Sequence, residues 1–179
     1  MKIIAVLLVM SCCCFGACSK QVELSPSELA IGKTVVTYDI AQEDMETKLK
    51  DYTVTKDEGY AATYRDSLSS YIVEKDDEEL FMYITNEIGF VRAFRVKNEA
   101  VRTYKDIAVG DSIEKVKDAF EYEFESDVDV YSVLFNGNIE VDPEEDYKKN
   151  SRLWINYKYE DDIIISIRIY DVKYGRELQ

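Results

Sequence analysis

The sequence feature that most constrains the fold is a run of alternating side chains between residues 153 and 169. Leucine, isoleucine and tyrosine occupy every second position up to Tyr159, and isoleucine occupies every second position from Ile163. Such alternation predicts two antiparallel strands that share one apolar face. A three-residue loop at 160–162 would direct one row of side chains into the core, namely Ile163, Ile165, Ile167 and Ile169.

A second hairpin is predicted between residues 80 and 96. Glu87-Ile88-Gly89 has the composition of a three-residue loop, with Gly89 at the left-handed position. The two registers place Phe81 opposite Arg95 and Trp154 opposite Arg168, on the sheet face turned away from the core. They also leave one charged residue, Arg92, unexplained on the core face.

Two helices are predicted from capping residues and apolar spacing. One begins at Asp39 and continues to about Lys50, and the other begins at Asp111 with Ile113, Val116 and Phe120 on one face. A short helix is also expected at Ser25-Pro26-Ser27-Glu28, because a proline follows a capping serine. Most of the remainder has strand composition, so the predicted fold class is α+β with an antiparallel sheet.

Short segments recur along the chain. Ala30–Thr34 matches Ala108–Ser112, and the triplet centred on Arg95 matches the triplet centred on Arg168. These matches predict two diverged repeats of a helix followed by antiparallel strands, with the helices packed on one side of the sheet. The predicted repeats cover residues 25–98 and 99–179.

The N-terminus has the pattern of a signal peptide at residues 1–17. A lysine precedes an apolar stretch that ends in Gly16 and Ala17, and this stretch is shorter than the roughly 20 residues of a membrane-spanning helix. The tetrapeptide ending at Cys18 resembles the lipobox of bacterial lipoproteins. That resemblance implies that Cys18 is lipidated and that residues 18–24 form the anchor and tether, with Cys12 as the alternative attachment site.

Cysteine positions and net charge limit the other possibilities. All four cysteines lie between positions 12 and 18, so cleavage before Cys18 leaves no disulfide in the folded part. The net charge of -14 disfavours nucleic acid and anionic headgroups as partners. We therefore expect an exported protein that is held to the cell membrane by its lipid and faces the extracytoplasmic side.

Catalytic and cofactor chemistry has little support. The sequence contains no histidine and no glycine-rich phosphate loop, which excludes Ser-His-Asp systems and the common zinc sites. No catalytic residue, metal or cofactor is predicted, although two carboxylates could still serve an enzyme acting on envelope glycans. The acidic runs at 76–79, 142–146 and 160–162 are typical of solvated turns, with calcium binding as the alternative.

The stretch Ile107–Val116 resembles the segment that opens the helix in beta-lactamase inhibitor protein-like (BLIP-like) and SmpA/OmlA-like modules. Those families have small α+β units, often in tandem, and bind other proteins through the sheet or its loops. The resemblance implies a non-catalytic lipoprotein that binds a protein or a cell-envelope component. The alternatives are the glycan enzyme and a structural or assembly role.

The candidate binding face consists of two aromatic residues and two arginines: Phe81, Arg95, Trp154 and Arg168. Aromatic residues and arginine are the side chains that most often anchor protein interfaces. The competing interpretation is that these aromatics are simply packed in the interior, because large aromatic side chains are generally buried.

Overall fold

The computed structural model describes residues 23–57, 68–143 and 153–171. These residues are 54% strand and 14% helix, and their strands pair antiparallel throughout. The helices are α1 (Gln42–Lys48) and α2 (Ile113–Ala119), and a single 3-10 turn covers Tyr104–Asp106. The strands are β1 (Glu28–Ile31), β2 (Thr34–Thr37), β3 (Thr53–Asp57), β4 (Ser69–Lys75), β5 (Glu78–Thr85), β6 (Val91–Val96), β7 (Val101–Arg102), β8 (Phe124–Asp127), β9 (Val130–Asn136), β10 (Ile139–Val141), β11 (Leu153–Glu160) and β12 (Ile163–Asp171).

Two sheets form from these strands. The large sheet has the order β10-β9-β11-β12-β6-β5-β4-β3, and β8 pairs with the outer edge of β9. The small sheet has the order β2-β1-β7. Strands from both sides of position 98 therefore meet within each sheet, at β6 with β12 and at β1 with β7.

The main core lies between the large sheet and the elements that cover one of its faces. Leu29 and Val36 from the small sheet, and Met45 and Val116 from the helices, belong to one buried cluster with the large sheet. Each helix has only seven residues, so the small sheet supplies much of this cover. We call the covered side the core face.

The predicted fold class is wrong. The protein is mostly antiparallel β-sheet and is not built from helix-plus-strand repeats with helices packed on a sheet. One reason for the wrong prediction lies at the N-terminal end of the described residues, where a short helix was expected. The Ser25 amide donates to Glu28 Oε2 at 2.7 Å, as a capping box would, but the chain turns there and continues into β1. The predicted domain boundaries, between residues 24 and 25 and between residues 98 and 99, remain predictions.

The β5–β6 hairpin has the predicted loop but a different register. The Asn86 amide donates to the Phe90 carbonyl at 3.0 Å, and Gly89 has a φ of 76°. Thr85 then pairs with Val91 and Ile84 with Ala93, so Arg92 is an extra residue in a β-bulge. Phe81 therefore lies opposite Val96 and not opposite Arg95.

The β11–β12 hairpin differs in both loop and register. Asp161 and Asp162 have φ values of 49° and 63° and form a two-residue turn. Ile165 is an extra residue that forms a bulge, and it exchanges the sheet faces of the β12 side chains that follow it. Trp154 lies opposite Tyr170 and Arg168 opposite Asn156; in the predicted core row Ile167 and Ile169 are buried, whereas Ile163 and Ile165 are exposed.

Both hairpins are attached to the segment before a helix by matching hydrogen bonds. Val91 exchanges two backbone bonds with Ile40 and Asp39, at 2.9 and 3.0 Å, and the Gln42 amide donates to Gly89 at 2.8 Å. In the other hairpin, Ile164 exchanges bonds with Asp111 and Gly110, both at 2.9 Å, and Ile113 donates to Asp162 at 2.8 Å. These bonds fix the β5–β6 tip against the start of α1 and the β11–β12 tip against the start of α2.

Candidate binding face

The side of the large sheet opposite the core face, here called the second face, carries two rows of neighbouring side chains. Directly paired residues share a face, so the register defines the rows. One row is Leu134, Trp154, Tyr170, Ala93, Ile84 and Ser70. The next row is Ser132, Asn156, Arg168, Arg95, Met82 and Ile72.

Three of the four predicted site residues lie on the second face. Arg95, Trp154 and Arg168 are half-buried there. Phe81 is fully buried on the core face, with its ring edge-to-face with Phe94 at 5.9 Å. The bulge at Arg92 separates Phe81 from the others, because one extra residue in a strand exchanges the two faces.

Arg95 and Arg168 are direct partners across the β6–β12 ladder. Residues paired in this way have Cα atoms about 4.5–5.5 Å apart, and two like charges at that spacing repel. Neither arginine is free, since each has an interaction partner within the chain. The pair concentrates positive charge at the centre of a face in an otherwise acidic protein.

Trp154 forms the aromatic end of the second face. Its ring lies 6.0 Å from the Tyr170 ring and 6.0 Å from the Phe124 ring of β8. It packs against a small cluster made of Leu68, Ile84, Ala93 and Tyr170. One part of the indole is therefore packed and another part is accessible.

Asn156 and Tyr170 extend the face and were not predicted from the sequence. Ser132 Oγ donates to Asn156 Oδ1 at 2.9 Å, which orients the amide beside Arg168. Both residues alternate with core residues on the same strands as Trp154 and Arg168. Alternation alone could have found them, once the correct register was known.

Arg92, unexplained in the sequence, lies at the edge of the core beside β1 and β2. It forms an ion pair with Asp39 at 2.5 Å, and its guanidinium lies over the rings of Tyr38 and Phe90 at 6.0 and 5.7 Å. The Tyr38 hydroxyl donates to Asp171 Oδ2 at 2.8 Å. Burial, followed by the hydrogen bond and charge of Asp171, raises the pKa of Tyr38 above its ordinary value.

The acidic runs lie in turns where the structure describes them. Asp76 and Asp77 connect β4 to β5, and Asp161 and Asp162 connect β11 to β12. Within residues 23–57, 68–143 and 153–171, no group of three or more acidic, cysteine or histidine side chains is placed to hold a metal ion. In the remaining acidic run, 142–146, residues 144–146 lie outside the described residues.

Comparison with known proteins adds little to this geometry. No family model matches the sequence, and no curated protein matches it. Among solved structures, the chain is similar to the uncharacterized protein yfeY from Escherichia coli, with 12% sequence identity and a TM-score of 0.44. The match covers 83% of this chain and 97% of that chain, and likeness at this level carries no argument about function.

The two candidate residues for lipid attachment are near the N-terminus. Cys18 and the alternative Cys12 lie outside the described residues. Among the residues that are described, no helix is long and apolar enough to cross a membrane.

Proposed function

We propose that the protein is a membrane-anchored extracytoplasmic lipoprotein that binds a protein or a cell-envelope component and catalyses no reaction. The proposal that the protein binds a partner is supported by one observation: Trp154, Arg168 and Arg95 lie on one face of the large sheet, away from both helices. The anchoring part is based on the sequence before Cys18.

The chemistry of the second face suits recognition. Tryptophan, tyrosine and arginine supply large rigid contact areas and dominate the energetics of protein interfaces. Trp154 provides such an area, the buried Tyr170 ring supports it, and Arg168 and Arg95 add cations beside it. Each of these side chains except Tyr170 is half-buried, so each offers surface while its packing holds it in place. Such preorganisation reduces the entropy lost on binding.

The proposal is tested by crosslinking and pulldown of the full-length protein from native membranes. We expect Trp154→Ala to weaken binding of the recovered partner by about 2 kcal/mol or more, as is typical of an interface anchor. Arg168→Ala should weaken it in the same direction. The matched control is Arg102→Ala, which removes an exposed arginine of β7 in the small sheet.

The outcomes separate clearly. A partner recovered by the wild-type protein and the Arg102→Ala control, but lost with both second-face variants, supports the proposal. Equal recovery by all variants would show that the second face is not the binding surface.

A further inference from the structure

We infer that the anchored protein rests on the lipid bilayer through the end of the large sheet that carries the β5–β6 hairpin tip, with Ile88 and Phe90 contacting lipid. This inference rests on the proposed lipid anchor at Cys18. It adds an orientation and a second contact with the membrane. We call this end of the sheet the tether end.

The chain enters the folded part beside this hairpin tip. The Tyr38 amide donates to the Ser27 carbonyl at 2.9 Å, and the next residue, Asp39, donates to Val91 at 3.0 Å. Val91 is the first residue of β6, directly after the tip. Leu24 is buried, and Cys18 lies six residues before it. Six extended residues span at most about 22 Å, so the bilayer must lie close to the tether end.

The tether end presents apolar side chains to solvent. Ile88 is 68% exposed at the tip of the loop, and Phe90 is 36% exposed at its base. Ile139, the first residue of β10, is also exposed and lies at the same end of the sheet. Exposed apolar groups of this kind mark protein or membrane contacts. Val128, Ile163 and Ile165 are also exposed, nearer the opposite end of the sheet, so apolar exposure alone does not choose between the two ends. The short tether selects the tether end and the membrane, because it holds Ile88 and Phe90 near lipid.

Charge separates the two ends of the sheet. Among the described residues, the turns at the opposite end and the strand ends beside them contain these acidic residues: Asp76, Asp77, Glu78, Asp127, Asp129, Glu160, Asp161 and Asp162. At the tether end, the large sheet and its described loops carry fewer acidic residues, among them Glu87 in the loop 86–90, Asp57 at the end of β3 and Asp171 at the end of β12. Asp39 at this end is neutralised by its ion pair with Arg92. Anionic headgroups repel acidic surfaces, so the charge distribution favours the same orientation as the tether.

The orientation can be tested with the lipidated full-length protein reconstituted in vesicles of phosphatidylcholine and phosphatidylglycerol. Ile88→Cys is labelled with an environment-sensitive fluorophore; the parent protein, whose Cys18 is acylated, sets the labelling baseline. The matched control is Val128→Cys, an aliphatic residue that is 78% exposed in the β8–β9 turn at the opposite end. The eight residues of β11 separate the two ends by about 26 Å.

We expect emission from position 88 to rise about twofold or more on reconstitution and to be quenched by a lipid-borne quencher, as for a group in the headgroup region. Position 128 should show neither effect. If the protein floats with the vesicles but the two positions respond alike, or position 88 does not respond, the orientation is wrong and the anchor stands. A protein that does not float with the vesicles overturns both the anchor and the orientation. A rise at position 88 that the lipid quencher does not affect would assign the tip to a contact within the protein or with a second copy of this chain, since no other protein is present, and overturn the lipid contact.

Discussion

Paired truncations of Phe81 and Trp154 test the register on which the second face depends. Phe81 is fully buried in the main core, and removing such a side chain costs about 3–5 kcal/mol of unfolding free energy. Trp154 is half-buried, and its truncation removes the ring contacts with Tyr170 and Phe124 and part of the packing against the cluster that contains Leu68, Ile84 and Ala93. Each aromatic pair adds about 0.5–1.5 kcal/mol beyond area burial, and only part of the indole is buried, so Trp154→Ala should cost less than the loss of a fully buried aromatic side chain, which is about 3–5 kcal/mol.

The assay is urea unfolding of Phe81→Ala and Trp154→Ala, followed by far-ultraviolet circular dichroism because Trp154 is the only tryptophan. In a domain of this size each kcal/mol also lowers Tm by about 2–4 °C, which gives an independent measure. We expect the Phe81 variant to be clearly the less stable of the two. Equal losses, or a larger loss for Trp154→Ala, would refute the register that buries Phe81 fully and leaves Trp154 half-buried.

Three further substitutions test local features of the fold. Partial burial raises the pKa of Asp111, but the hydrogen bonds from Lys115 and the Ala108 amide and the charges of Lys115 and Arg102 outweigh it, so the pKa lies below its ordinary value. The carboxylate therefore stabilises the fold at neutral pH and loses this effect as pH falls through the lowered pKa. Asp111→Asn should cost about 1–2 kcal/mol at neutral pH, and a melting difference that persists unchanged into strong acid would contradict this. Gly89→Ala should cost about 1 kcal/mol in urea unfolding, because Gly89 has a φ of 76° while an added Cβ meets nothing within 4 Å. Tyr83→Phe should leave stability unchanged or raise it by about 1 kcal/mol, because no hydrogen-bond partner of its buried hydroxyl is seen among the described residues; a loss in thermal melts would show that the hydroxyl has a partner.

The two helices could be predicted because their signals are local, although they begin at Gln42 and Ile113 and not at Asp39 and Asp111. Met45 in α1, and Ile113 and Val116 in α2, are buried as their spacing indicated. The helix expected at 25–28 failed although its signal was similar. The chain after Glu28 pairs with β2 and β7 instead, and this long-range pairing leaves no mark in the local sequence.

The β5–β6 register was predicted correctly only up to the bulge at Arg92, and the β11–β12 register was wrong from its loop onward. The loop at Gly89 was correct, yet Arg92 and Ile165 each add a residue that shifts the pairing. A bulge depends on what the strand meets in three dimensions. At Arg92 the extra residue brings the guanidinium to Asp39 and to two aromatic rings, which the alternation of residue types does not show.

The candidate face was found in part for the same reason. Trp154 and Arg168 were placed on one face correctly, because the two-residue loop and the extra residue Ile165 together give the same alternation as the predicted three-residue loop. Arg95 was grouped with them through the repeat and lies on that face. Phe81 was grouped with them only through the incorrect β5–β6 register. Tyr170 was missed because the expected pairing ended at Ile169, one residue short of Trp154's true partner.

The lipid anchor at Cys18 is the claim on which both the proposed function and the membrane orientation depend. Mass spectrometry of the N-terminal peptide of the protein purified from the membrane fraction tests it most directly. We predict a mature chain that begins at Cys18 and carries acyl groups, and a Cys18→Ala variant that is released from membranes or remains an uncleaved precursor. A peptide that begins at Cys12, or an unmodified Cys18 in membrane-bound protein, would contradict the account.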